Sequence, residues 1–179
     1  MSVFKKISER IRIMGEENDR MQRYSAMTAE ELAALPDDEL VIAASTRIDK
    51  TIREKNELMR AVIELPRAQR MFFLAKNYEA QLERGGLWQY FADSSHRMAP
   101  YLQEALREIG AFDHLRLYAD FVFRNNIDIQ DPAMFSTFEL RKYEQMENDP
   151  FGAFDAEYRR LEPISEHLKA YVRANSDKF

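Results

Sequence analysis

The chain carries three histidines, His96, His114 and His167, and no cysteine. No two histidines stand three or four residues apart, and neither an HExxH string nor an EF-hand loop occurs. Glu104 and Glu108 are four apart, as are Glu162 and Glu166. A helical dimetal centre, however, needs Glu-x-x-His on two helices, and here Glu166 merely adjoins His167. No metal site and no cofactor is expected. Without cysteine, nucleophiles reduce to hydroxyls. Ser94-Ser95-His96 sets a hydroxyl beside an imidazole, but adjacent residues rarely face each other and no GxSxG elbow surrounds them. A capping role for Ser94 or Ser95 is the simpler reading. Gly85-Gly86 lacks both the Lys-Ser/Thr of a phosphate loop and a preceding strand, so it reads as a turn.

What remains is charge that could bind. The 179 residues hold 31 acids and 26 bases, a net of −5. The excess lies late: residues 127–166 carry ten acids against four bases. Asp128, Asp131, Glu139, Glu144, Glu147, Asp149, Asp155, Glu157 and Glu162 are the candidate binding carboxylates. No basic patch appears, which disfavours direct contact with nucleic-acid phosphate. One helix here is far less dense in negative charge than nucleic acid. Residues 137–147 would span about 16 Å as a helix, a length over which DNA carries roughly ten charges. Glu139, Glu144 and Glu147 against Arg141 and Lys142 leave a net of −1. Any surface as dense in negative charge as a duplex must draw on several elements.

The elements that would position these groups are helical. Five glycines and six prolines are few for an all-β chain, and apolar residues recur at helical spacing throughout. Phe4, Ile7, Ile11, Met14, Asn18 and Met21 form a heptad-like seam in an N-terminal arm, interrupted by Gly15. Thr28 and Glu31 form a capping box. Asp37-Asp38-Glu39 opens a helix whose apolar face runs from Leu40 through Leu58 and Val62 to Leu65-Pro66. Met71, Leu74, Tyr78 and Leu82 mark the next helix, stopped by Gly85-Gly86. A buried helical turn, Leu87 to Phe91, follows. Pro100 starts a helix that Gly110 ends. Leu115, Tyr118 and Phe121 line another, before a loop at 127–135. Ser136 to Glu139 reads as a second capping box. The last helical region, Asp155 to Arg173, must kink or split at Pro163. The expected fold is all-α: one compact domain of about seven helices, with residues 1–35 as an arm or extension and 36–179 as the domain.

Residues 83–95, Glu-Arg-Gly-Gly-Leu-Trp-Gln-Tyr-Phe-Ala-Asp-Ser-Ser, are followed by Glu-Ala-Leu-Arg-Glu-Ile-Gly-Ala at 104–111. The pair of strings resembles the all-helical DNA-mimic family, long catalogued as a domain of unknown function. The likeness extends more weakly to Phe179 and covers about two thirds of the chain. Arg84, Leu87 and Asp93 depart from the family's usual Asn, Phe and Asn. The resemblance implies a dimer whose acidic surface imitates DNA and occupies a transcription factor. Gly85, Gly86, Trp88, Gln89, Tyr90, Phe91, Asp93, Ser94 and Gly110 are then scaffold: the glycines for turns, Trp88 and Phe91 for packing, Gln89 for satisfying backbone.

The sequence thus leads to a non-enzymatic regulator whose late carboxylates bind a DNA-binding protein or another basic protein. An immunity-type inhibitor of a toxin is an alternative that composition does not separate from it. An enzyme with a pocket near Trp88, Gln89, Tyr90, Asp93 and His96 is a third reading. No membrane span and no secretory signal is found, so the expected address is cytoplasmic.

Overall fold

The computed structural model describes residues 3–144 and 149–179. The side chains of residues 3–11, 13, 14, 17, 137–139 and 144 lie outside the described set. Most of the heptad-like seam and the side chains of Thr137, Phe138 and Glu139 in the second capping box therefore fall outside it.

Among the described residues there are ten α-helices and no strand. They are α1 (Val3–Ala26), α2 (Ala29–Ala33), α3 (Asp37–Arg53), α4 (Leu58–Glu64), α5 (Arg67–Ala92), α6 (Ala99–Glu108), α7 (Phe112–Arg124), α8 (Thr137–Glu144), α9 (Pro150–Tyr158) and α10 (Ile164–Ala174). Short 3-10 turns occur at Ser94–Met98, Pro132–Phe135 and Ser176–Lys178.

The expected count of about seven is too low, and the reasons are local. The apolar face read as continuous from Leu40 to Val62 belongs to two helices. The α3 helix ends at Arg53, and α4 restarts after Glu57, whose backbone is extended. Leu58, placed on the buried face by spacing, is 40% exposed, because the break re-phases the helix. The region from Asp155 to Arg173 splits, with α9 closing at Tyr158 and α10 opening after Pro163. The loop at 127–135 contains a 3-10 turn whose cap is Asp131.

Other local signals act as their chemistry dictates. Thr28 Oγ1 accepts from Glu31 N at 3.2 Å, and Glu31 Oε2 accepts from Thr28 N at 2.7 Å. Three acids occupy the first turn of α3, where they face the positive end of the helix dipole. Gly110, at φ 80°, closes α6. Ala111 N donates to Leu106 O and Gly110 N to Arg107 O, the bond pair that satisfies the last carbonyls of a helix.

The α5 helix is the axis of the fold. It packs against α3, α4, α6, α8, α9 and α10. Its buried side chains Met71, Phe72, Leu74, Tyr78, Tyr90 and Phe91 are each 0–1% exposed. The core is aromatic. Tyr78 meets Tyr90 at 5.1 Å and Tyr118 at 5.8 Å between ring centroids, both edge to face. Burial pushes the phenols of Tyr78, Tyr90 and Tyr118 far above their ordinary range. Their phenols are thereby held in the neutral form, and their rings pack the core.

Tyr24 of α1 and Leu32 of α2 are buried in the same core. Arg173 of α10 reaches across to this segment, donating to the carbonyls of Ala33 and Leu35 and to Asp37 Oδ1. Arg47 of α3 ties Met27 O at 2.7 Å.

Candidate functional site

The joint inside α5 is tightly constrained. Gly85 and Gly86 have non-helical backbone angles and divide the element into two helices of different direction. At Gly86, φ is 72° and ψ is −170°, a conformation essentially confined to glycine. A Cβ added there would lie 1.9 Å from Asp155 Oδ2. At Gly85 an added Cβ would meet Gln89 Cβ at 2.9 Å.

The carboxylate that fills this space has a task. Restarting a helix after a break leaves its first N–H groups without partners. Asp155 Oδ1, from α9, accepts the Leu87 N–H at 3.0 Å. Asp155 is thus a cap supplied from 68 residues away. Burial raises its pKa. The Leu87 N–H and the nearby Arg159 pull the value back, and Asp149 adds to the rise.

A second carboxylate does the same for α10, whose N-cap position is Pro163 and offers no side-chain acceptor. Glu79 of α5 is 9% exposed, and its Oε1 accepts the Ser165 N–H at 2.9 Å. Burial raises the Glu79 pKa against the opposing backbone bonds from Ser165 and Ile164. Sequence spacing gives no hint of either contact, because both depend on which helices are neighbours.

Most of the remaining motif residues are buried, pack on the core or cap a turn. Leu87, Tyr90 and Phe91 are fully buried, and Trp88 is partly buried against the core. The Gln89 side chain makes no hydrogen bond among the described residues; it packs over Gly85, and its carbonyl accepts Asp93 N at 3.0 Å. The expected backbone-satisfying role of its side chain is therefore replaced by packing. The cap of the Ser94–Met98 turn is Asp93, whose Oδ1 accepts both Ser94 N and Ser94 Oγ–H. The cap expected from the serines is thus one residue earlier, and Ser95 is buried.

His96 Nδ1 donates to the Asp93 carbonyl at 2.7 Å, and its ring stacks on Phe135 at 5.2 Å. That nitrogen is committed to the backbone and holds no serine hydroxyl. A groove of about 550 Å³ opens beside His96, lined also by Glu57, Met59, Arg60, Ile63, Glu64, Arg97 and Tyr101. Of the five residues expected around a pocket, Trp88, Gln89, Tyr90 and Asp93 do not line it. Its charged groups pair with one another: Arg97 with Glu57 at 3.2 Å and Arg60 with Glu64 at 2.8 Å. Among the described residues, no group of three His, Asp or Glu side chains could hold a metal ion.

The candidate binding carboxylates divide by location. Asp128, Asp131 and Asp149 are exposed, and each holds a backbone N–H with one oxygen. Their partners are Gln130 N at 2.9 Å, Ala133 N at 2.9 Å and Gly152 N at 3.0 Å. Glu157 is exposed beside Asp120 and Arg124 in a groove between α7 and α9. Glu162 is exposed, with its Oε2 3.6 Å from His167 Nε2. Asp155 is half-buried at the joint. Glu139 and Glu144 lie on α8 with side chains outside the described set, and Glu147 lies outside the described residues.

The geometry is thus a helical domain with a glycine joint in α5 and exposed acids that cap local backbone. The chain belongs to the DMP19-like protein family, a DNA-mimic family, whose model matches residues 63–175. No curated protein and no solved structure matches the chain significantly. Among the described residues, no helix is long and apolar enough to cross a membrane.

Proposed function

We propose that this chain is a non-enzymatic binding protein that offers an acidic surface to a basic DNA-binding protein in place of DNA. Membership of a DNA-mimic family carries the reading. Two physical features support it. The late carboxylates outnumber the local bases, so that part of the chain is negative. Asp128, Asp131 and Asp149 are also held in place by backbone N–H groups. A capping bond uses one oxygen and leaves the charge and the second oxygen free. Carboxylates fixed before contact lose little side-chain freedom on binding.

The surface must extend beyond one helix. The nine residues of α9 span about 13 Å, a length that corresponds to roughly eight charges of duplex. With its cap, α9 supplies three: Asp149, Asp155 and Glu157. Asp128, Asp131 and Glu162 are exposed candidate acids available to widen it.

The experiment is capture of partners from the native host at low salt, elution along a salt gradient, and identification by mass spectrometry. A basic DNA-binding protein that elutes early and is displaced by duplex DNA is the expected result. The quadruple variant D128N/D131N/D149N/E157Q keeps acceptor oxygens for the capping bonds while removing four charges. It should weaken the complex more than ~10-fold. Binding indifferent to salt and to these four changes would refute the proposal.

A further inference from the structure

We infer that the groove between α4, α6 and the loop at 127–135 receives the apolar face of a basic amphipathic helix of the partner protein. The inference rests on the reading above for the partner's positive charge, and it adds where that partner's apolar side chains go.

The groove holds about 550 Å³. Met59 of α4 and Phe135 of the loop, both buried, line its floor, and Ile129 and Pro132 extend the apolar lining. Ile63 of α4 and Tyr101 of α6 border it, 47% and 38% exposed. Singly exposed apolar residues are ordinary. These two share one concavity with an apolar floor, and such a patch marks a surface that binds.

The polar groups select the occupant. A small-molecule site presents a few polar groups that converge on its ligand. Here they are engaged with one another or with backbone. Arg97 holds Glu57 at 3.2 Å, Arg60 holds Glu64 at 2.8 Å, and Lys55 reaches the same Glu64 at 2.9 Å. His96 Nδ1 donates to the Asp93 carbonyl. What stays open is apolar lining and negative charge. Asp128 and Asp131 alternate with Ile129, Gln130 and Pro132 on the loop wall. Both are exposed, and among the described residues neither has an ion-pair partner. The complementary occupant therefore brings apolar side chains flanked by Lys or Arg. One helix supplies both, with its apolar stripe on the floor and its basic edge against the two aspartates.

The test is fluorescence anisotropy at low salt, titrating the full chain into a labelled synthetic helix of about 15 residues. The peptide carries leucine on one face and lysine on the other. A control peptide has the same composition, shuffled so that its leucines share no face. The amphipathic peptide should bind more than ~10-fold more tightly than the control. I63S/Y101S should raise its dissociation constant more than ~10-fold. Both side chains are partly exposed, so thermal melts of that variant should match the parent. D128N/D131N should also weaken binding, by a factor that shrinks as salt is added. Equal affinity for the two peptides, or equal affinity of the parent and I63S/Y101S, would overturn the inference and leave the acidic-surface proposal standing. Binding untouched by D128N/D131N would overturn it as well, because those charges select a basic occupant. The assay uses no captured partner, so failure to capture a DNA-binding protein from the host counts separately, against the proposal above.

Discussion

The Asp155 carboxylate occupies the space a side chain on Gly86 would need, and from there it caps the helix that Gly86 restarts. Glycine and acid are one device. The first supplies a backbone angle and a void, and the second supplies an acceptor that fits the void. The arrangement gives Gly86 two separate reasons to be glycine.

Those reasons can be separated by comparison with Gly110, which also has positive φ but has open space, with nothing within 4 Å of where a Cβ would sit. Gly110→Ala meets backbone strain alone and should cost about 1 kcal/mol. Gly86→Ala meets the same strain and also displaces the Asp155 cap, so it should cost about 3 kcal/mol or more. Asp155→Asn keeps an acceptor and should cost less than Asp155→Ala. Urea unfolding of the four variants measures the order; equal losses at the two glycines would contradict the steric account.

Two buried groups should bend the pH dependence of stability in opposite directions. Burial lowers the His114 pKa, as does nearby His167, while the Nε2 contact with the Glu162 carbonyl at 2.7 Å opposes the shift. With the folded value below the unfolded one, the unfolded chain binds the extra proton. Stability is therefore intact above the ordinary histidine pKa and is lost as pH falls from there through the folded value. His114→Gln should flatten that loss in urea titrations taken from neutral pH downward.

Glu79 carries the opposite sign. Its folded pKa is raised by burial, so its contribution is fully present below the ordinary glutamate pKa and is lost as pH rises through the folded value. Glu79→Gln keeps an acceptor for the Ser165 N–H and should remove that decline. A steeper decline in the variant would mean that the ionised form is the one the fold prefers.

Arg173 should act as a clamp on the segment between α2 and α3. It donates to the carbonyls of Ala33 and Leu35 and also to Asp37. Arg173→Ala should cost about 1–2 kcal/mol. It should also speed hydrogen exchange and proteolytic cutting near Leu35-Pro36 more than elsewhere. Arg173→Lys should recover little, because one ammonium cannot reproduce the three-way fork.

How much of this was legible before the fold was known depends on distance along the chain. Signals contained within a few residues read correctly: the Thr28–Glu31 box, the acids opening α3, the break at Gly85-Gly86 and the end at Gly110. The break at residues 54–57 was hidden because Leu58, Met59 and Val62 continue the spacing of the helix before them. The caps on Leu87 and Ser165 were invisible, since each joins residues brought together only by packing. The groove shared by Ile63 and Tyr101 was hidden too, because an apolar side chain on a helix is first assigned to the core. Surface acids were nameable as types, while their division into fixed rim groups and the half-buried Asp155 required the neighbours.

The two borrowed caps also impose an order on synthesis. While the ribosome has delivered only the first half of the molecule, the turn at Gly86 has no acid beside it and Glu79 has no amide to receive. Both halves of α5 must wait for α9 and α10 to emerge before either is locked, so a nascent chain halted near residue 148 should hold α5 as two loosely joined segments.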